Sequence, residues 1–164
     1  MTRRMLSLSI LLLLALGLMA APLQAKPASS GLDAEVLRDL AQVRRATAQY
    51  QDVQAALDAG YFLPEAMCVQ HPEHGGMGYH YLNPAFIAPG DPDPSEPAIL
   101  VYAPRDDGSL QLVAVEYGSQ SADATLFGQG FAPPGGAPFW TLHAWVWKAN
   151  PNGMFAPFNP NVSC

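Results

Sequence analysis

The chain has four histidines. His71, His74 and His80 crowd the segment CVQHPEHGGMGYHY, and His143 sits in the aromatic run FWTLHAWVWK. Imidazole is the side chain most often recruited to bind a metal or to move a proton near neutral pH, so the cluster directs attention to both. The acidic residue that bears on them is Glu116, in LVAVEY. On strand alternation it shares a face with Leu110, Leu112 and Ala114, where a carboxylate is costly unless it is paired or holds a cation. By the same rule His80 shares a face with Leu82, and His143 with Thr141, Trp145 and Trp147. Three strands of one sheet would then aim His80, Glu116 and His143 into a common pocket walled by Trp145 and Tyr102. His71 or His74 could add a ligand from the preceding glycine-rich loop.

Two imidazoles and a carboxylate with open positions suit zinc, iron or copper. The same trio could also work without metal as acid, base and orienter. A third reading is structural: His80 and His143 half-buried and hydrogen-bonded to Glu116 or to backbone, with His71 and His74 in solvent. On motif evidence alone the structural reading is the stronger. The chain carries no zinc-peptidase pattern, no paired histidines at helical spacing and no Gly-x-Ser-x-Gly nucleophile frame.

The elements that must position these residues divide the chain into a helical front and a stranded remainder. Val36, Leu40, Val43, Ala46, Tyr50, Val53 and Leu57 recur at steps of three and four, which predicts helix over about residues 31–59 with a break near 47–51. Ser30 with Asp33 resembles a capping pair, and Gly60 is a stop. Beyond Gly60 four runs read as strands: Tyr79 to Leu82, Ala98 to Tyr102, Leu110 to Tyr117 and Phe139 to Lys148. Asp106-Asp107-Gly108 predicts a tight turn joining the second and third into an antiparallel hairpin, with the third interior to the sheet. The expected fold is α+β, an N-terminal helix packed on a small, mainly antiparallel sheet of about four or more strands. A closed barrel plugged by the helix and a two-sheet sandwich are the alternatives.

Between the strands lie proline-rich connections. Residues 88–97 read as a stiff, solvated loop, and its Asp91 and Asp93 lack the glycine turn and closing glutamate of a calcium loop. Residues 128–138 are rich in Gly and Pro without the Lys and Ser/Thr of a phosphate loop, which suits a lip over a cleft. Trp140, Trp145 and Trp147 read as packing rather than as a carbohydrate platform.

The N-terminus addresses the protein. Arg3 and Arg4 precede the apolar stretch MLSLSILLLLALGLMA and a small-residue end at Ala25, the pattern of a signal peptide over 1–25. The apolar stretch is shorter than the roughly 20 residues that span a bilayer. Arg3-Arg4 is an ordinary basic head rather than a twin-arginine signal, because the head is very short and the core strongly apolar. A single domain over 26–164 would then act in the periplasm or outside the cell, with no membrane anchor left. Losing Arg3 and Arg4 makes the mature chain more acidic than the formal −6 of the whole. So acidic a chain is a poor binder of nucleic acid or anionic lipid, because phosphate affinity needs clustered Lys and Arg. The two cysteines, Cys68 and Cys164, are expected to pair in an oxidising compartment and to fasten the last residue to mid-chain. Asn161-Val162-Ser163 fits a glycosylation pattern, which matters only in a eukaryotic secretory pathway.

Taken together, CVQHPEHGGMGYHYLNP, PAILVYAP, LVAVEY, LFGQGF and LHAWVWKANPNGMFAPFNPNVSC resemble a family of small, mostly bacterial proteins of unknown function. That family shares Met-Gly-Tyr-His-Tyr and His-Ala-Trp…Asn-Pro-x-Gly-Met-Phe signatures, and the resemblance spans about residues 45–164. It implies no activity and brings no catalytic residue. Two classes of function follow. One is an exported protein that binds a metal or small ligand through the histidine–glutamate pocket. The other is a non-catalytic exported domain that contacts a protein partner through its aromatic surface and proline loops.

Overall fold

Helix comes first because the apolar stripe recurs at helical spacing. A computed structural model describes residues 32–64 and 68–164, and the signal peptide expected over residues 1–25 lies outside the described residues. Helix α1 spans Ala34–Thr47, a 3-10 turn follows at Ala48–Gln51, and α2 runs Val53–Asp58. Asp33 takes the N-cap position without capping through its side chain, and Ser30, its expected capping partner, lies outside the described residues. Gly60 ends α2 at φ +90°. Leu40 and Val43 are buried, as the stripe requires, but at the far end Thr47 and Ala56 are buried while Leu57 is exposed. The 3-10 turn winds more tightly than an α-helix and advances the inward face by about one position.

The sheet is five-stranded and antiparallel. Its strands are β1 (Val69–His71), β2 (Gly75–Leu82), β3 (Ile99–Pro104), β4 (Leu110–Ser119) and β7 (Trp140–Ala144), in the order β1-β2-β3-β4-β7. A separate two-stranded ribbon, β5 (Thr125–Leu126) with β6 (Gln129–Gly130), leads into the Gly/Pro segment. The fold is therefore α+β with one main sheet, neither barrel nor sandwich. The β3–β4 hairpin turns where Asp107-Gly108 predicts: Arg105 and Ser109 close it and Gly108 sits at φ +80°.

One face of this sheet packs on the helices. Tyr81, Leu100, Tyr102, Leu112, Val115, Tyr117 and Leu142 form a core with Leu40, Val43 and Ala56. The opposite face carries Ile99, Val101, Ala103, Val113 and Ala114 with Phe139, Trp145 and Val162. A bulge divides β4 between the two. Val101 pairs with Ala114 but Tyr102 pairs with Leu112, so Val113 is an extra residue. Its carbonyl instead accepts from the backbone N–H groups of Trp147 and Lys148, at 3.2 and 3.0 Å. The bulge corrects the sequence expectation for Glu116, because Leu110 and Leu112 lie on the helix side and only Ala114 shares the carboxylate's face.

Two further expectations are revised. The last strand ends at Ala144 rather than Lys148. Past that point alternation no longer applies, and Trp147 turns to the helix side, where its indole N–H donates to the Thr47 hydroxyl at 3.1 Å. The proline loop at 88–97 is also less solvated than its composition suggests. Tyr61 and Tyr117 donate from beneath to the carbonyls of Pro97 and Pro94, at 2.8 and 2.7 Å, and Pro92 and Pro97 are buried. Asp91 and Asp93 each accept through one carboxylate oxygen from the backbone of Thr125 and Ser95, both at 2.7 Å, which ties the loop down.

The C-terminal segment crosses the start of β2. Gly76 and Asn159 exchange backbone hydrogen bonds, and a Cβ on Gly75 would lie 2.3 Å from the Asn159 carbonyl oxygen. Cys164 then forms a disulfide with Cys68, the Cα atoms 5.7 Å apart. This is the expected pairing, and it fits the expectation of an oxidising environment. Among the described residues no helix is long and apolar enough to cross a membrane.

Candidate metal centre

Glu116 holds the centre of the sheet face that points away from the helices. Strand register sets His143 of β7 directly opposite it on one side and Ile99 of β3 on the other. His80 of β2 stands opposite Val101, one diagonal step along the same face and within reach of a long side chain. The backbone thus delivers all three side chains to one spot. A Glu116 oxygen lies 3.3 Å from His143 Nδ1, and its other oxygen 3.5 Å from His80 Nε2. The two imidazoles meet edge to face at 5.8 Å between centroids. One donor atom from each residue lies within 4.8 Å of the others, a grouping that could hold a metal ion.

The electrostatics of the trio follow from burial, since Glu116 is 5% and His143 6% exposed. Loss of water raises the Glu116 pKa, and His80 and the Thr141 hydroxyl oppose that rise only in part. Burial alone pulls His143 down to about 4. His80 is lowered as well, burial outweighing the attraction of Glu116. Both imidazoles are therefore neutral at pH 7.

Neutrality makes the tautomers matter. His80 Nδ1 lies 3.1 Å from the Gly78 carbonyl oxygen. A carbonyl only accepts, so Nδ1 carries the hydrogen and Nε2 presents a bare lone pair to the carboxylate. Gly78 makes this possible with φ at +117°, a backbone close enough to Tyr102 that a Cβ would come within 2.4 Å of its carbonyl oxygen. His143 stacks on Trp145 at 6.3 Å, and its Nε2 is buried without a hydrogen-bond partner. The bare His80 Nε2 thus faces a buried carboxylate, an arrangement that repels unless a proton or a cation lies between them.

The trio opens into a cavity of about 730 Å³. Met77, Leu82, Ile99, Phe139 and Phe155 form much of its wall, and the Gly/Pro segment from Gln129 to Pro138 runs along it as the sequence suggests for a lip. Sequence reasoning misplaced two walls. Tyr102 lies on the helix side and donates to the Tyr50 carbonyl at 2.6 Å, while Trp145 backs His143 without lining the cavity. His71 and His74 lie apart from the trio. They stack on each other at 4.3 Å beside Phe158, across the β1–β2 turn, and neither lines the cavity. The apolar wall residues went unnoticed in the sequence, since an isolated Met or Phe carries no signal separating a cavity wall from a core. No family model, curated protein or solved structure matches the chain.

Proposed function

We propose that this is an exported metal-binding protein in which His80, Glu116 and His143 hold one divalent transition ion, zinc, iron or copper, at the end of an apolar cavity. The observation that carries the reading is the bare Nε2 lone pair of His80, with Nδ1 committed to Gly78 and the Glu116 carboxylate 3.5 Å away. A metal-bound histidine is held in this way, one nitrogen on the ion and the other donating to a fixed acceptor. Spacing adds support. A tetrahedral ion with bonds of 2.0–2.1 Å sets its ligand atoms about 3.3–3.4 Å apart; the imidazole nitrogens lie 3.3 and 3.5 Å from different Glu116 oxygens, so an ion between them would use both oxygens of the carboxylate. Good charge-assisted hydrogen bonds would be shorter, near 2.7–2.9 Å.

Export to the periplasm or beyond belongs to the same proposal, supported by the Cys68–Cys164 disulfide and the apolar N-terminal stretch. So does membership of the bacterial family, whose two signatures here contain His80 and His143.

The test is zinc titration of chelator-treated protein by calorimetry, together with elemental analysis of protein taken from its native compartment. One ion per chain is expected, with binding lost in Glu116→Gln while the circular dichroism spectrum is unchanged. Protein that carries no metal and gives no heat with zinc would overturn the reading, as would a Glu116→Gln variant that binds zinc normally.

A further inference from the structure

Resting on the metal reading, we infer that the cavity receives a small organic acid with an apolar body, such as a medium-chain carboxylate, its head on the ion and its tail along the wall. The head follows from charge. A divalent ion beside the single carboxylate of Glu116 keeps one net positive charge, and the two imidazoles, which coordinate a metal in their neutral form, do not alter it. Among the described residues the lining holds no lysine, arginine or aspartate. A ligand with one anionic oxygen group balances the site, whereas a second ligand charge would be buried without a partner.

The tail follows from the wall. Apart from the trio, Gln129 and Thr141 are the polar side chains along it among the described residues, and Met77, Leu82, Ile99 and Phe155 offer only apolar surface. Phe155 is itself braced by a parallel stack on Phe127 at 5.5 Å. A sugar or a phosphate ester would bring several hydrogen-bonding groups and leave most of them unpaired. The volume, about 730 Å³, falls in the range of roughly 300–1,000 Å³ typical of small-molecule sites.

The experiment titrates the disulfide-intact, zinc-loaded protein with sodium alkanoates from acetate to decanoate, with inorganic phosphate alongside. Affinity is expected to rise about fourfold per added CH₂, the gain expected for burying a methylene, and to vanish in zinc-free protein. Ala132→Trp, at the lip, should keep one zinc per chain and flatten the dependence on chain length. Normal zinc binding with acetate or phosphate as tight as decanoate would overturn this inference alone. Equal alkanoate binding with and without zinc would overturn the assignment of the head to the ion. Failure to bind zinc at all would remove the metal reading and this inference together, an outcome distinguished before any alkanoate is added.

Discussion

Burial of His143 should make the metal-free protein sensitive to acid in a way that one substitution removes. An unfolded chain binds the proton of a histidine below pH 6.5, whereas His143 in the folded protein stays neutral until about pH 4. Between those values the unfolded state gains a proton that the native state refuses, so stability falls as pH falls. The contribution is intact above pH 6.5 and fully lost near 4. Each pH unit between is worth about 1.4 kcal/mol, so the loss is roughly 3 kcal/mol. For a domain of this size that lowers the thermal midpoint by roughly 10 °C. His80, also lowered, acts in the same direction. Glu116, raised, acts in the opposite one: its contribution is present below its unfolded pKa and lost as pH rises through the folded value.

His143→Phe isolates the first effect, because a phenyl ring keeps the stacking on Trp145 and cannot titrate. His143 is not among the groups that set the Glu116 pKa, and it lowers His80 in the same direction that burial does, so both histidines make the wild-type curve the steeper one. Thermal or urea unfolding at intervals from pH 7.5 to 4, with chelator present, should give a wild-type curve that drops more steeply than the variant's, by about 3 kcal/mol over the range. Parallel curves would refute the reasoning, and would mean that water or a charge reaches the His143 imidazole.

Three more outcomes are expected. Zinc affinity should rise with pH, because the ion must displace any proton held by Glu116, whose pKa burial raises; an affinity unchanged between pH 5 and pH 7 would count against it. Replacing Cys68 and Cys164 together by alanine opens a loop of sequence separation 96 and should cost on the order of 4–5 kcal/mol in urea unfolding, with a cost under about 1 kcal/mol contradicting the chain-entropy account. Gly78→Ala and Gly108→Ala both place a side chain at positive φ, but only at Gly78 does the new Cβ meet backbone, 2.4 Å from the Tyr102 oxygen, while Gly108 is open. The second should therefore cost about 1 kcal/mol and the first clearly more, and equal losses would show that close approach at Gly78 is unimportant.

Local physics explains what the sequence alone could determine. Helical spacing from Val36 to Tyr50, the turn at Asp107-Gly108, strand alternation through Glu116 and the pairing of two cysteines each depend on neighbours along the chain or on simple counting. Those rules place His80, Glu116 and His143 on definite faces, and the register of β2, β3, β4 and β7 brings the faces together. Tertiary structure decided the rest. The Val113 bulge has no signature in LQLVAVEY, since one extra residue is inserted where the twist of the sheet demands it, and it moved Leu110 and Leu112 to the other side. Trp147 left the alternation because Arg44 and Thr47 of the first helix draw the chain past Ala144 inward, through the Val146 carbonyl and the indole N–H. The His80 tautomer depends on a carbonyl two residues back that only a glycine at positive φ can present. The cavity, finally, exists because segments far apart in the chain stop short of filling one space, a property of their packing that no single segment contains.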